Sequence, residues 1–235
     1  MDRTTWLNEL RLKSEASYDQ FAPLWYGENS PLYDNPTHRR FIREFLRLLS
    51  PHSTILDAAC GAGRYEPYLL EKGHSTLGID QSQAMLDLAR AKFPGVRFEK
   101  VGLQEMAWQS AFDGAICMDA MENVSPEEWP IVLGNFNRAL KSQGYLYFTA
   151  ETFDYADETE IKLAFDKARQ AGLPVVFGEI PDEDDVYHYH PTNQQVREWT
   201  QQAGFEILKE GKSKVWYYHL LARKAPDPKN SAAYE

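Results

Sequence analysis

The stretch Ile55-Leu-Asp-Ala-Ala-Cys-Gly-Ala-Gly-Arg64, followed by Thr76-Leu-Gly-Ile-Asp80, constrains this chain more than any other feature. A short apolar run ends in an acid, Asp57, and turns at once through small residues. A helix-like segment, 65–72, leads to a second apolar run that also ends in an acid, Asp80. Strand, glycine turn, helix and strand make a βαβ unit. Gly61 and Gly63 let the backbone pass close to a ligand, with N–H groups of the turn and helix start exposed toward it. Asp80 follows Gly63 by about 17 residues, the spacing at which an acid binds the two hydroxyls of a ribose. The unit therefore predicts an adenosine-containing cofactor.

The dinucleotide fingerprint asks for a third glycine where helix meets strand. Here that position is Glu66, and Asp57 at the strand mouth would repel a pyrophosphate. An acid there suits a cationic partner instead. The segment Leu56–Arg64 resembles the first motif of class I S-adenosylmethionine-dependent methyltransferases, whose cofactor carries an ammonium and a sulfonium. Ala59 stands where that family usually has glycine, which is tolerated if its φ stays negative.

The resemblance continues along the chain. Residues 80–90 look like the family's second strand end and helix, which implies Asp80 on the ribose with Gln81 and Met85 beside the adenosine. Val101-Gly-Leu-Gln-Glu-Met106 resembles the turn after the third strand. The family often has Asp at the position of Leu103, so Gln104 is expected to take over the adenine contact. Residues 112–122, with Met118 facing the cofactor, look like the fourth strand and its turn, and 140–150 like the fifth. The likeness covers about 40–150 well and 191–224 loosely. It implies an α/β, Rossmann-like fold: seven mostly parallel strands flanked by helices, the last strand antiparallel. A domain over 37–224 would carry an N-terminal helical lid (1–36), an insertion after strand 5 (152–190) and a tail (225–235). The cofactor set it implies is Tyr18, Asp57, Ala59, Gly61, Gly63, Asp80, Gln81, Met85, Leu103, Gln104 and Met118.

At 235 residues and 43% hydrophobic content the chain can bury one substantial core. It has no eighteen-residue apolar run and no basic, apolar start, and its two cysteines, Cys60 and Cys117, fall at expected strand ends. A cytoplasmic protein, monomer or homodimer, with no membrane partner, is the expectation. Net charge is −10, so nucleic acid is an unfavoured partner. The basic cluster His38-Arg-Arg40 with Arg43 and Arg47 reads as a solvated helix face.

Residues 1–36 carry Trp6, Tyr18, Phe21, Trp25, Tyr26 and Tyr33 at near-helical spacing, predicting one or two amphipathic helices. Related small-molecule enzymes place a Tyr-x-x-x-Ala pair, here Tyr18 and Ala22, over the methionine end of the cofactor. Tyr26 is a candidate for the acceptor. In 152–190, a helix is expected over 157–171, then an acid-rich loop with Glu179 and 182–185. That loop reads as solvated surface, or, with Tyr187 and Tyr189, as a cradle for a cationic amine. His188-x-His190 has metal-like spacing but no obvious third ligand, and no metal is expected.

Methyl transfer from a sulfonium needs mainly positioning, with a general base only for some acceptors. Asp119, Glu151 and His190 are the catalytic candidates and Glu122 a substrate contact, with His219 further along. The reading is a methyltransferase acting on N or O of a small-molecule acceptor. A non-catalytic S-adenosylmethionine-binding sensor or partner subunit, or less readily a nicotinamide-dependent oxidoreductase, is the alternative.

Overall fold

Short apolar runs build the sheet: β1 (Thr54–Ala58), β2 (Ser75–Asp80), β3 (Arg97–Lys100), β4 (Phe112–Cys117) and β5 (Leu140–Glu151). In the computed structural model, which describes residues 1–26, 36–154, 158–183, 186–213 and 217–226, these five strands run parallel. β8 (Phe205–Lys212) and β9 (Tyr217–Lys224) complete a seven-stranded sheet in the order β3-β2-β1-β4-β5-β9-β8. The last strand, β9, lies antiparallel between β5 and β8. Strands covered on both faces by helices read as continuous apolar runs, as Ile55-Leu56 and Ala115-Ile116 do. All four of those side chains are fully buried.

Helix α2 (Pro36–Leu48) turns Phe41, Ile42, Phe45 and Leu46 to the sheet and leaves Arg40, Arg43 and Arg47 outside. Phe45 comes so close that a Cβ on Gly114 of β4 would lie 2.6 Å from its ring. His38 departs from the solvated face expected of it, being only 2% exposed. After β1, helix α3 is shorter than expected, Glu66–Leu69, and a separate 3-10 turn, Glu71–Gly73, follows it with Lys72 and Gly73 in left-handed backbone. Helices α4 (Gln83–Lys92) and α5 (Trp129–Ala139) flank the other strands.

The N-terminal segment forms a single helix, α1 (Arg3–Tyr26), capped by Asp2, whose Oδ1 accepts the Thr5 N–H at 3.0 Å. Its inner face runs Trp6, Leu7, Leu10, Ser14, Ser17, Tyr18, Ala22, at the three- and four-residue spacing of a helix. Asp19 ties it to α4, accepting from the Ser82 hydroxyl (2.6 Å) and the Ala84 N–H (3.0 Å). The side chains of Trp25 and Tyr26, and all of Tyr33, lie outside the described residues, so the contacts expected of Tyr26 are not described.

Helix α6 (Glu158–Gln170) opens the 152–190 insertion. The acid-rich loop expected after it is instead a hairpin, β6 (Glu179–Glu183) with β7 (Val186–Tyr189), before α7 (Asn193–Gln202). Glu179 is fully buried rather than solvated, because it has partners. Arg3 donates to both its oxygens at 2.7 and 3.1 Å, and the Tyr187 hydroxyl donates to it at 2.7 Å. Arg3 also pairs with Glu127 and reaches the Pro174 carbonyl. One guanidinium thus joins the first turn of α1 to the hairpin and to the segment before α5.

Replacing Arg3 with alanine leaves the buried Glu179 carboxylate without its cation, so Arg3→Ala should cost about 1–3 kcal/mol. Urea unfolding measures it, and an unchanged midpoint would show that α1 is not held by this pair.

Candidate active site

The C-terminal ends of β1, β2 and β4 open into a cleft of about 1070 Å³, including its mouth, where parallel α/β sheets bind ligands. Its floor is the turn after β1. Gly61 has φ 53°, and a Cβ added there would meet nothing within 4 Å, so the backbone faces open space. Asp80, at the end of β2, holds that turn: its Oδ2 accepts the Gly61 N–H at 2.8 Å and its Oδ1 the Ser82 N–H at 2.8 Å. Burial raises the Asp80 carboxyl above its ordinary value, while the N–H groups of Ser82, Gly61 and Gln81 oppose that rise.

Gln81, Met85, Leu103, Gln104 and Met118 all line the cleft. Leu103 and Gln104 are fixed by Asn135 of α5, whose amide donates to both their carbonyls at 3.0 Å. The sequence offered no signal for Asn135, a mid-helix amide about thirty residues away. Tyr18 lines the roof and donates to Asn123 at 3.0 Å. The Asn123 amide in turn donates to the Tyr187 carbonyl at 2.9 Å. Ala22 packs on Ala62 and Met85.

Three expectations about the turn need correction. Ala59 lines the cleft but has φ 55°, not the negative value expected. Gly63 is not in the cleft wall; its φ of 75°, and the Phe93 ring that would lie 3.0 Å from any Cβ placed there, explain the glycine. Asp57 is not in the wall either. It is 1% exposed beneath the turn, and burial, with Glu66 and Asp80 nearby, raises its carboxyl well above the ordinary range. The charge expected at the strand mouth is therefore not presented to the cleft. Glu66, also buried, accepts a hydrogen bond from Thr76 at 2.7 Å and is likewise raised by burial. It fills the space that a third glycine would leave.

At the far end, Asp119 lines the cleft with φ 54°, a strained backbone for an aspartate. The Tyr65 hydroxyl donates to its Oδ2 at 3.0 Å and the Thr149 hydroxyl to its Oδ1 at 3.3 Å. Its own N–H reaches Thr149 Oγ1 at 2.8 Å. Arg64 lies 3.5 Å and His38 3.7 Å away. Behind it, Glu151 pairs with His190 at 3.3 Å, and Glu122 is buried at the same strand ends. Three catalytic candidates and Glu122 are thus neighbours, with Asp119 alone among them in the cleft wall. Tyr65 and His38 were not read as site residues; they join Asp119 only through folding of α2 and α3 onto the sheet.

His219 is excluded as a base. It is fully buried on the other face, stacked on Phe41 and 2.9 Å from the Tyr147 hydroxyl, and desolvation holds its pKa down to about 3. Of the two hairpin tyrosines, Tyr187 lines the cleft, but its hydroxyl is taken by Glu179. Tyr189 is 3% exposed and outside the wall, packed toward Trp199. Glu179 is committed to Arg3, and the side chains of 182–185 lie outside the described residues. His188 and His190 stack at 6.3 Å, and no metal-holding group exists among the described residues. Cys60 and Cys117 are free and buried, and desolvation pushes both thiols up, which leaves them poor nucleophiles.

Two outcomes follow from this geometry. Ala59→Gly relieves left-handed backbone and should raise stability by about 1 kcal/mol; thermal unfolding checks it, and a lower midpoint would place Ala59 elsewhere in φ. His219 should stay neutral to about pH 3. As the unfolded residue protonates near 6.5, acidification from there toward 3 removes up to about 1.4 kcal/mol of stability per pH unit through this group. Ring chemical shifts measure the titration, and a midpoint near 6.5 would put the ring in solvent.

The comparisons with known proteins agree with this architecture. Residues 55–144 match the family described as Methyltransferase domain. A ubiquinone biosynthesis O-methyltransferase of Nitrosomonas europaea is 28% identical over 142 residues, 56% of this chain and 59% of that protein. The chain thus aligns with less than two thirds of that relative's length. An S-adenosylmethionine-dependent methyltransferase of Methanosarcina mazei superposes with TM-score 0.66 at 20% identity, over 80% of this chain and 98% of the other. The 1,6-didemethyltoxoflavin-N1-methyltransferase of Burkholderia thailandensis, solved with bound 1,6-didemethyltoxoflavin and S-adenosylhomocysteine, gives TM-score 0.66 at 18% identity, over 96% of this chain and 91% of the other. The matched segment resembles a methyltransferase domain, and the strand order, with the cleft at the ends of β1 and β2, is the fold of S-adenosylmethionine-dependent methyltransferases.

Proposed function

We propose that the protein transfers the methyl group of S-adenosylmethionine to a nitrogen or oxygen of a small-molecule acceptor. The observation that carries this reading is the open face of Gly61 beside the Asp80 carboxylate, within one cleft. Each Asp80 oxygen accepts one backbone N–H and keeps a second lone pair for a ribose hydroxyl. Leu103 and Gln104 offer an apolar contact and an amide to an adenine. Tyr18, with Ala22 behind it, offers an aromatic cover at the other end. S-adenosylmethionine supplies an already activated methyl group, so the protein's share is to align an acceptor and exclude water.

The same reading gives α1 and the 152–190 insertion their work as lid and cap. Leu7, Leu10, Ser14 and Tyr18 of α1, and Tyr187 of the hairpin, line the cleft from above, and the Arg3–Glu179 pair holds the two covers together. Small acceptors fit such a roofed cleft better than a polymer does. A nicotinamide dinucleotide suits the turn poorly, because the buried Glu66 side chain occupies the third-glycine position and packs 3.3 Å from a Gly63 Cβ. A sensor that binds the cofactor without turnover would share every one of these features except a productive acceptor end.

Calorimetry should therefore show S-adenosylhomocysteine binding and no binding of NAD. Asp80→Ala should weaken that binding by about 2–4 kcal/mol, the loss of charged hydrogen bonds. Binding of NAD without S-adenosylhomocysteine, or full affinity in folded Asp80→Ala, would overturn the reading.

A further inference from the structure

Resting on the methyltransferase reading, we propose that Asp119 takes the proton of a hydroxyl acceptor, and that Tyr65 and His38 are positioning residues that hold its carboxylate and receive that proton behind the cleft wall. Asp119 and Tyr65 line the same cleft as Gly61 and Asp80, whereas His38 of α2 is buried outside the wall. The left-handed backbone of Asp119, φ 54°, is held by Thr149 of β5, which accepts its N–H at 2.8 Å and donates to its Oδ1 at 3.3 Å. Strain of that kind persists only where the surroundings impose it, and here it sets a carboxylate in the wall. The Tyr65 hydroxyl donates to Oδ2 at 3.0 Å and lies 3.2 Å from His38 Nδ1. His38 Nε2 lies 3.7 Å from Oδ1. Side chains from α2, the turn before α3 and the end of β4 thus close a triangle on one carboxylate.

Proton counting gives the triangle a direction. The Tyr65 hydroxyl carries one proton and has two acceptors in reach. Donated to Asp119, it leaves the oxygen to accept from His38 Nδ1–H, so the proton-free nitrogen of the neutral ring is Nε2, the one that faces the carboxylate. Burial, opposed by Asp119 and helped by Arg64, holds the imidazole below its ordinary 6.5. The rings against it carry no charge. Tyr217, at 5.4 Å, is kept protonated by burial, and His219, at 4.9 Å, stays neutral to about pH 3. Methyl transfer to a hydroxyl forms the O–CH3 bond, breaks S–CH3 with its electron pair left on sulfur, and releases the hydroxyl proton. Asp119 accepts that proton, and His38 Nε2 takes it on from Oδ1, which restores the carboxylate beside an imidazolium. Their opposite charges offset part of the cost of a buried cation. A hydroxyl acceptor calls for such a base, whereas an amine need only arrive unprotonated.

The test uses the full chain and two readouts. By NMR, with S-adenosylhomocysteine saturating, the His38 ring should titrate below 6.5, and its midpoint should fall further in Asp119→Asn, where the facing carboxylate is lost. Turnover is read with labelled S-adenosylmethionine and panels of alcohols, phenols and amines. Alcohols or phenols should be methylated, with kcat falling as pH drops through the His38 midpoint. His38→Asn keeps a donor near the Nδ1 position but has no nitrogen that binds a proton. It should lower kcat about tenfold or more with KM little changed, and remove that acid limb. Tyr65→Phe, which cuts both hydrogen bonds of the hydroxyl, should act in the same direction, and Asp119→Asn should cost about a hundredfold or more. A merely structural His38 would be replaced by asparagine with kcat and the pH profile intact, and that result overturns the proposal. So does a His38 midpoint unmoved in Asp119→Asn, methylation of amines alone, or methylation of no compound in the panels. Failure of the unaltered protein to bind S-adenosylhomocysteine would instead strike the cofactor reading, so the two failures are distinguishable.

Discussion

The cleft depends on one carboxylate and two backbone N–H groups. Asp80 reaches back from the end of β2 to Gly61 and forward to Ser82, each at 2.8 Å. It thereby fixes the turn after β1 against the start of α4. Asp19 of α1 binds the same helix start through Ser82 and Ala84, so the roof is registered to the same point as the floor. Buried backbone donors must find acceptors. Here a single acid accepts from both Gly61 and Ser82.

Acids below and beyond the cleft have different environments, and environment rather than residue type decides their roles. Asp57 and Glu66 lie under the turn, raised by burial, with Glu66 tied to Thr76. They act as packed, hydrogen-bonding parts of the turn rather than as charges facing a ligand. Glu179 is buried too, yet it keeps Arg3, Tyr187 and the Val176 N–H as partners, so it serves as a structural tie. Asp119, with donors on both oxygens, lines the cleft. Glu122 is buried with an unpartnered oxygen, as Asp57 and Glu66 also are. Acids singled out by spacing thus divide into support, tie and site only when desolvation and partners are counted.

Much of this was legible beforehand because it rests on local chemistry. The apolar run and small-residue turn at 55–63, and an acid at 80, dictate a strand, a tight turn and a carboxylate at a neighbouring strand end. The helical spacing of Trp6, Leu10, Tyr18 and Ala22 likewise places one face of α1 inward. The hairpin at 179–189 was less legible, since its acids resemble a solvated loop until Arg3, more than 170 residues away, supplies the counter-charge. His38 in a run of arginines gave the same kind of misdirection.

The sequence by itself determined the βαβ unit and the strand pattern, because periodicity and glycine placement are properties of neighbours in the chain. Tertiary structure alone decided that Asp57 lies beneath the turn and that Ala59 adopts φ 55°. It also decided that His219 belongs to the buried core, with its pKa held down to about 3, and that of Asp119, Glu122 and Glu151 it is Asp119 that lines the cleft. Burial and charge proximity set these outcomes. Both are sums over residues far apart in sequence, brought together only when helices and hairpin close on the sheet.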